Sequence, residues 1–180
     1  MKKVIALGGS NSRNSINKKL AVHVAQQLKN VEVVVVDLND YELPLYGIDL
    51  EEDKGIPNAA HELIKTIKAS DGIVLSLAEH NGVYSAAFKN TFDWMSRIDG
   101  KLWANIPMFL MATSPGARGG ATVLEIAKNR FPYMGGNIVA DFSFPSFLEN
   151  FVGDEIINQN LKSEIDTLIE KFQHEIEKES

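Results

Sequence analysis

The sequence predicts an α/β fold in which helices cover both faces of a five-stranded parallel sheet. Short apolar runs alternate along the chain with longer segments whose apolar residues recur every three or four positions, which indicates alternating strands and amphipathic helices. The short runs are apolar almost throughout, as expected for strands buried on both faces. Five such units in 180 residues fit a doubly wound sheet with strand order 2-1-3-4-5.

Each predicted strand is a run of five or six mostly apolar residues. The first ends at two glycines, and the second contains four consecutive valines. The predicted strands are Lys2–Leu7, Val31–Val36, Gly72–Leu77, Pro107–Ala112 and Asn137–Asp141. In such sheets ligands bind beyond the carboxyl ends of the strands, where the strand order reverses. The loops after the first, third and fourth strands are therefore expected to form the site.

The segments between the strands predict helices, and the last has the clearest apolar face. The predicted helices are Ser15–Leu28, Ala59–Ala69, Ser85–Arg97, Ala121–Phe131 and Asp154–Glu177. Tyr41–Gly55 contains Pro44, Gly47 and the acidic stretch Asp49–Asp53, so it is predicted to be a loop. No repeat or linker interrupts the pattern, and residues 1–180 are expected to form one domain.

Composition narrows the range of functions. A net charge of -6 and a pI near 5.2 argue against nucleic acid or an anionic membrane as the main partner. The chain has no cysteine, which excludes disulfides, thiolate metal sites and a catalytic thiol; no metal site is predicted. Redox chemistry would therefore need a cofactor.

No apolar run has the length of a membrane-spanning helix, and the segment before Gly8 is too short for a signal peptide. We expect a cytoplasmic protein.

The loop after the first predicted strand is rich in hydrogen-bond donors. Gly8–Asn17 has the sequence GGSNSRNSIN and leads into the first predicted helix, where free backbone N–H groups and the helix dipole favour an anion. The loop contains neither GxGxxG nor GxxxxGKS, which argues against a dinucleotide fingerprint and a P-loop. It fits a terminal monophosphate, although a turn that only caps the helix has the same composition. Without the glycine fingerprint, Asp37 is expected to cap or pair in its turn.

A second motif follows the third predicted strand, and the two together are specific. The segments GSNSRNSIN and EHNGVYSAAFKNTFDW, in this order and spacing, resemble the NADPH-dependent FMN reductase family of flavodoxin-like proteins. That family has a GSxRxxSxN-type phosphate loop, a PEYN-type flavin loop and a KNxxDW-type helix. The resemblance covers about two thirds of the chain and implies a flavodoxin-like fold that binds FMN at the carboxyl edge of the sheet.

The resemblance also implies which residues bind the cofactor. Polar residues of the first loop would hold the phosphate, the second loop would line the isoalloxazine ring largely through backbone groups, and the third would touch its pyrimidine end. The implied cofactor-binding residues are Ser10, Arg13, Ser15, Ile16, Asn17, Ala78, Glu79, His80, Asn81, Gly82, Thr113, Ser114, Pro115 and Gly116. The chain departs from the family pattern at four positions: Arg13 lies one residue late, Ala78 and Ser85 replace prolines, and His80 replaces a tyrosine.

The function implied is an FMN-dependent NAD(P)H oxidoreductase. It would pass hydride from NADPH or NADH through bound FMN to a quinone, an azo compound, a flavin or a metal oxyanion. The cofactor supplies this chemistry, so no catalytic side chain is assigned. The alternative is an FMN-binding electron carrier that takes no hydride from NAD(P)H, and a scaffold that has lost FMN is a third, weaker option.

Several side chains have two interpretations. His80 either orients a quinone oxygen or tunes flavin protonation, or it only packs or stacks. Glu79 either carries protons, or it is solvated or caps backbone groups. Arg118 either contacts the nicotinamide cofactor or is solvated, and Lys89 and Asp93 are spaced to pair on a helix. The family resemblance implies a homodimer or homotetramer. The aromatic residues that could form the subunit interface are Tyr84, Phe88, Phe92, Trp94 and Trp103. For Phe88 and Phe92, core packing is the alternative.

Overall fold

A computed structural model describes residues 1–178 and shows a parallel sheet of five long strands. These are β1 (Lys2–Gly9), β2 (Val31–Val36), β3 (Gly72–His80), β5 (Pro107–Thr113) and β6 (Asn137–Phe144), and the short β4 (Val83–Tyr84) pairs with β3. The order is β2-β1-β3-β5-β6. Counted without β4, which the sequence did not predict, this is the expected order 2-1-3-4-5, and the flavodoxin-like fold class is confirmed.

Helices cover both faces of the sheet and enclose two apolar cores. The helices are α1 (Ile16–Gln26), α2 (Ile48–Lys54), α3 (Asn58–Lys68), α4 (Ala86–Ile98), α5 (Ala121–Arg130), α6 (Phe147–Asn150) and α7 (Gln159–Glu177). α1 and α7 enclose one core with one face of the sheet, and α3, α4 and α5 enclose the other. In the described part of the chain, no helix is both long and apolar enough to cross a membrane.

The prediction of a loop at Tyr41–Gly55 is wrong in part, because α2 lies within it. α2 has no buried residue, so the apolar periodicity that reveals most helices is missing. Its acidic first turn and Lys54 in its last turn instead complement the helix dipole.

The start predicted for the last helix, Asp154, is also wrong. β7 (Phe151–Val152) and β8 (Glu155–Ile156) form a hairpin whose turn residues have positive φ. The helix begins only at Gln159, where the Asn158 side chain accepts hydrogen bonds from two backbone N–H groups. Ile157, which was expected on the apolar face of this helix, therefore lies before it and is exposed.

α1 approaches the tip of β1 closely enough to require glycine. A Cβ atom built on Gly8 would lie 2.6 Å from the backbone nitrogen of Lys18, far inside van der Waals contact. The absence of a side chain at Gly8 thus allows the first turn of α1 to sit directly against the end of the strand. This contact places the loop between β1 and α1 at the carboxyl edge of the sheet.

Candidate functional site

A cavity of about 260 Å³ lies at the carboxyl edge of the sheet and joins the three loops that the sequence singles out. It is lined by Ser10, Ser12, Asn14, Ser15, Ile16, Asn17, Ala78, Glu79, His80, Thr113, Ser114 and Pro115. The structure therefore brings together residues that are up to about a hundred positions apart in the sequence. Four of the expected residues, Arg13, Asn81, Gly82 and Gly116, are not part of this lining. Ser12 and Asn14, which the sequence analysis did not select, belong to it.

The loop between β1 and α1 is stabilised by its own hydroxyl groups. The Ser15 side chain caps α1 by accepting a hydrogen bond from the Lys18 backbone N–H at 3.1 Å. The Ser10 hydroxyl accepts one from the Ser12 backbone N–H, also at 3.1 Å. Ile16 and Asn17 begin the helix, where backbone N–H groups have no intrahelical acceptor. Both residues line the cavity, so the positive end of the helix dipole faces it.

Asn17 lies deeper in the protein than the exposed residues 11–14 of this loop. Its side chain is buried, and the residue is only 3% exposed. The amide oxygen accepts hydrogen bonds from the Ser76 hydroxyl at 2.7 Å and from the Thr113 backbone N–H at 3.1 Å. The amide nitrogen donates to the Thr113 carbonyl oxygen at 3.2 Å. The amide thus connects α1 with the middle of β3 and the end of β5.

Glu79, at the end of β3, caps helix α5, which follows much later in the sequence. Its carboxylate accepts a hydrogen bond from the Val123 backbone N–H at 3.0 Å, in the first turn of α5. The residue at the N-cap position of α5 is Gly120, which has no side chain to do this. Of the two interpretations of Glu79, the structure supports the cap.

The flavin-loop motif turns out to be a tight hairpin. Glu79 pairs with Tyr84 and His80 with Val83, and the two residues between them, Asn81 and Gly82, both have positive φ. Asn-Gly is the sequence that such two-residue turns favour. The hairpin leaves the His80 side chain exposed at the rim of the cavity.

Ser85, which stands where the resembling family has proline, bridges two elements. Its buried hydroxyl donates to the Gly9 carbonyl oxygen at 2.7 Å and accepts from the Phe88 backbone N–H at 3.1 Å. The first bond ties it to the end of β1, and the second caps α4. A proline would pre-set the backbone here, whereas serine fixes it through these two hydrogen bonds.

The aromatic residues considered for a subunit interface belong to the core instead. Tyr84, Phe88, Phe92 and Trp103 surround Phe131, with ring centroids 4.8–6.4 Å from it. All five are buried. Within residues 1–178 the Tyr84 hydroxyl and the Trp103 indole N–H have no hydrogen-bond partner, and burial raises the pKa of Tyr84 to about 12.

The segment before α2 is held against α4 by residues of the second motif, whose KNTFDW part lies within α4. Asn90 accepts from the Tyr46 backbone N–H at 2.8 Å and donates to the Pro44 carbonyl oxygen at 3.0 Å. The buried Trp94 indole donates to the same carbonyl oxygen at 2.7 Å, and the Tyr46 ring packs edge-on against it with centroids 5.0 Å apart. These contacts form what we call the α4 clamp: Asn90 and Trp94 holding residues 43–46.

The remaining polar candidates have local partners. Lys89 pairs with Asp93 on α4, as expected. Arg118 is exposed and donates to the Thr122 hydroxyl at 2.9 Å. Asp37 caps its turn and pairs with Lys18; although partial burial opposes it, hydrogen bonds from Lys18 and Asn39 hold the pKa of Asp37 below its ordinary value.

Comparison with known proteins agrees with the motifs and the fold. The model of the family described as NADPH-dependent FMN reductase matches residues 2–149. An uncharacterised protein of Mycoplasma pneumoniae is 36% identical over 72% of this chain and 78% of its own length.

A quinone reductase of Escherichia coli is 30% identical over 66% of this chain, and the match spans 63% of that enzyme. Among solved structures, the flavoenzyme NAD(P)H:(acceptor) oxidoreductase FerB from Paracoccus denitrificans superposes with a TM-score of 0.79. It is 27% identical, and the match covers 98% of each chain.

Proposed function

The chain belongs to the NADPH-dependent FMN reductase family, which is a family of FMN-dependent NAD(P)H oxidoreductases, and on this basis we propose that it reduces a quinone, an azo compound, a free flavin or a metal oxyanion. The observation that carries the proposal is the cavity in which the three predicted loops meet at the edge of the sheet. The names of the quinone reductase and FerB support the same acceptor chemistry.

The residues of the cavity fit FMN. Hydroxyl groups of Ser10 and Ser12 and the N–H groups that begin α1 supply donors for a phosphate without a lysine. Arg13 is exposed beside this loop and would add a charge-assisted bond. The backbone of residues 78–82 and 113–116 would line the ring, as the family resemblance implies.

When bound, FMN supplies the transfer of reducing equivalents from NADPH or NADH to the acceptor. The chain's own residues bind and orient: the α1 loop fixes the phosphate end, and the ends of β3 and β5 form the walls. Glu79 holds one wall to α5. His80, exposed at the rim, is placed to contact an entering acceptor, and no side chain is assigned as a catalytic acid or base.

The test is anaerobic reduction of the reconstituted protein. Purified protein is loaded with FMN, NADPH and NADH are added in separate cuvettes, and the visible flavin absorbance is followed. Rapid bleaching that a quinone reverses supports the reductase and ranks the two donors. Flavin that binds but stays oxidised would instead favour the electron carrier, and a protein that binds no FMN would refute both.

We also propose that the protein is a cytoplasmic homodimer or homotetramer built from one domain. Support comes from the family resemblance, which implies an assembly of identical subunits. The single chain also leaves large apolar side chains exposed, among them Leu45, Ile48 and Tyr133. Light scattering coupled to size-exclusion chromatography measures the assembly, and a monomer at micromolar concentration would contradict it. Cell fractionation tests the location.

A further inference from the structure

We propose that the Asn17 side chain is a positioning residue that ties the middle of β3 and the end of β5 to the start of α1, and that it is not a phosphate ligand. The inference rests on the proposed function for the identity of the bound flavin. It changes the role that the motif alone implies, because the polar side chains of the phosphate loop were expected to face the phosphate.

The observed hydrogen bonds of Asn17 use nearly all of the hydrogen-bonding capacity of its side chain. An asparagine side chain offers two N–H donors and one oxygen with two lone pairs. The Ser76 hydroxyl and the Thr113 N–H occupy the oxygen, and the Thr113 carbonyl oxygen takes one N–H. A single N–H remains, on a residue that is 3% exposed. The neighbouring Ser12 and Asn14 side chains are exposed at the same cavity and are better placed for an anion.

The hydrogen bonds of the Asn17 side chain, which we call the tie, connect three strands. Thr113, which bonds Asn17 through both backbone groups, also donates from its hydroxyl to the Phe144 carbonyl oxygen at 2.8 Å. Hydrogen bonds therefore run from Ser76 on β3 through Asn17 to β5 and on to β6. Ser76, Asn17 and Thr113 are all buried, so water does not readily replace these bonds.

The position of the tie decides which loops depend on it. Ala78 follows Ser76 by two residues, and Ser114 follows Thr113 directly; both line the cavity. Loss of the Asn17 amide would loosen the walls at the ends of β3 and β5 together with the start of α1. Such a change weakens any flavin, whether or not it carries a phosphate, whereas loss of a phosphate ligand weakens FMN alone.

The experiment compares FMN with riboflavin, which lacks the phosphate. Dissociation constants for both are measured by calorimetry on the wild-type protein and on Asn17→Ala, Ser76→Ala and Ser12→Ala. Asn17→Ala and Ser76→Ala should weaken both flavins by the same factor, roughly tenfold, as expected for one buried hydrogen-bonded group. Ser12→Ala is the phosphate-side control and should weaken FMN more than riboflavin.

A second measurement needs no flavin. Hydrogen exchange in the flavin-free protein should be faster at the Thr113 N–H in Asn17→Ala, and faster at the ends of β3 and β5 in Ser76→Ala, than in the wild type. Ser76→Ala keeps the test decisive if Asn17→Ala does not fold, because among the described residues the Ser76 hydroxyl makes its hydrogen bond to Asn17.

A loss confined to FMN with wild-type exchange rates would overturn the inference, as would a Ser76→Ala protein that matches the wild type in both measurements. Wild-type protein that binds neither flavin would refute the proposed function instead, and the exchange measurement would still test the tie.

Discussion

Glu79 shows at the scale of one residue how a family motif acts through the fold. The carboxylate belongs to the second motif, at the end of β3, but accepts a hydrogen bond from the first turn of α5, 44 positions further along the chain. A cap needs only an acceptor oxygen, whereas a proton carrier needs an ionisable group. Glutamine keeps the acceptor and removes the ionisation, so the two roles respond differently to one substitution.

We predict that Glu79→Ala lowers the free energy of unfolding by about 1 kcal/mol, the usual cost of a lost helix cap, and weakens FMN binding. Glu79→Gln should stay close to the wild type in both. Urea denaturation followed by circular dichroism measures the first quantity, and calorimetry measures the second. A Glu79→Gln protein that binds FMN normally yet loses turnover would contradict the capping role.

The Tyr84 hydroxyl is a buried polar group without a partner among the described residues, so its desolvation opposes folding. We predict that Tyr84→Phe stabilises the protein by about 1 kcal/mol, since it removes that cost. Tyr46→Phe is the matched control and should not stabilise, because the Tyr46 hydroxyl donates to Glu51. Urea denaturation at pH 7 compares the two variants, and a clear loss of stability in Tyr84→Phe would mean that the hydroxyl has a partner.

The same residue predicts a pH dependence. The folded-state pKa of Tyr84 is about 12, against 10.0 for an unperturbed tyrosine. Below pH 10 the hydroxyl is protonated in both the folded and the unfolded protein. As the pH rises from 10 to 12 it ionises first in the unfolded protein, which lowers the free energy of unfolding. Over that window, the free energy of unfolding should fall less steeply in Tyr84→Phe than in the wild type; parallel curves would contradict the shift.

At this scale the sequence predicted where the cavity lies but not the partners of the side chains around it. The three loops follow from the ends of the predicted strands. The bonds of Asn17 to Ser76 and Thr113 join residues 59 and 96 positions apart, and no local pattern encodes such a pairing. Residue type did limit the choices, since the capping interpretation of Glu79 was one of two that its carboxylate allowed.

Among the elements, the segment before α2 depends most on contacts made elsewhere. Residues 43–46 have little regular structure, and the α4 clamp supplies hydrogen-bond partners for their backbone. α2 itself buries no residue and is held through Glu51, which accepts from the Tyr46 hydroxyl and pairs with Arg97 of α4. Apolar periodicity therefore revealed α4 and α7 but not α2, whose stability comes from charge and from the clamp.

We predict that Asn90→Ala lowers the free energy of unfolding by about 1–3 kcal/mol, because several partly exposed backbone groups lose a partner. Limited proteolysis should cut the variant faster between residues 41 and 47. Lys89→Ala, on the same helix, removes only an exposed ion pair worth about 0.2–0.5 kcal/mol and serves as the control. Equal proteolysis rates in the two variants would show that the clamp does not hold the segment.

For the whole molecule, two cores on opposite faces of one sheet explain why the architecture was predictable. Strands that are apolar throughout must be covered on both sides, and this requirement sets the arrangement of layers before any contact is known. The hairpin of β7 and β8 was not predicted, because β7 lies in a segment to which no element was assigned and β8 lies within the predicted start of the last helix. α7 completes the core that it encloses together with α1, where Phe172 packs against Phe109 of β5 with ring centroids 6.1 Å apart.

We predict that Phe172→Ala lowers the free energy of unfolding by about 3–5 kcal/mol, the usual cost of an emptied aromatic site in a core. Lys171→Ala, one position away and exposed, should change it by less than about 0.5 kcal/mol. Urea denaturation measures both. A small effect of Phe172→Ala would indicate that α7 packs loosely on the sheet and contributes little to the stability of the core that it shares with α1.

The two tryptophans of the chain both lie on one side of the sheet, Trp103 in the aromatic cluster and Trp94 in the α4 clamp. The protein therefore carries built-in fluorophores. With Trp103 replaced by phenylalanine, emission would come from Trp94 alone, whose indole is bonded to the Pro44 carbonyl oxygen. Release of the 43–46 segment would expose that indole to water and shift its emission to longer wavelength, so opening of the clamp would become visible in real time without any attached dye.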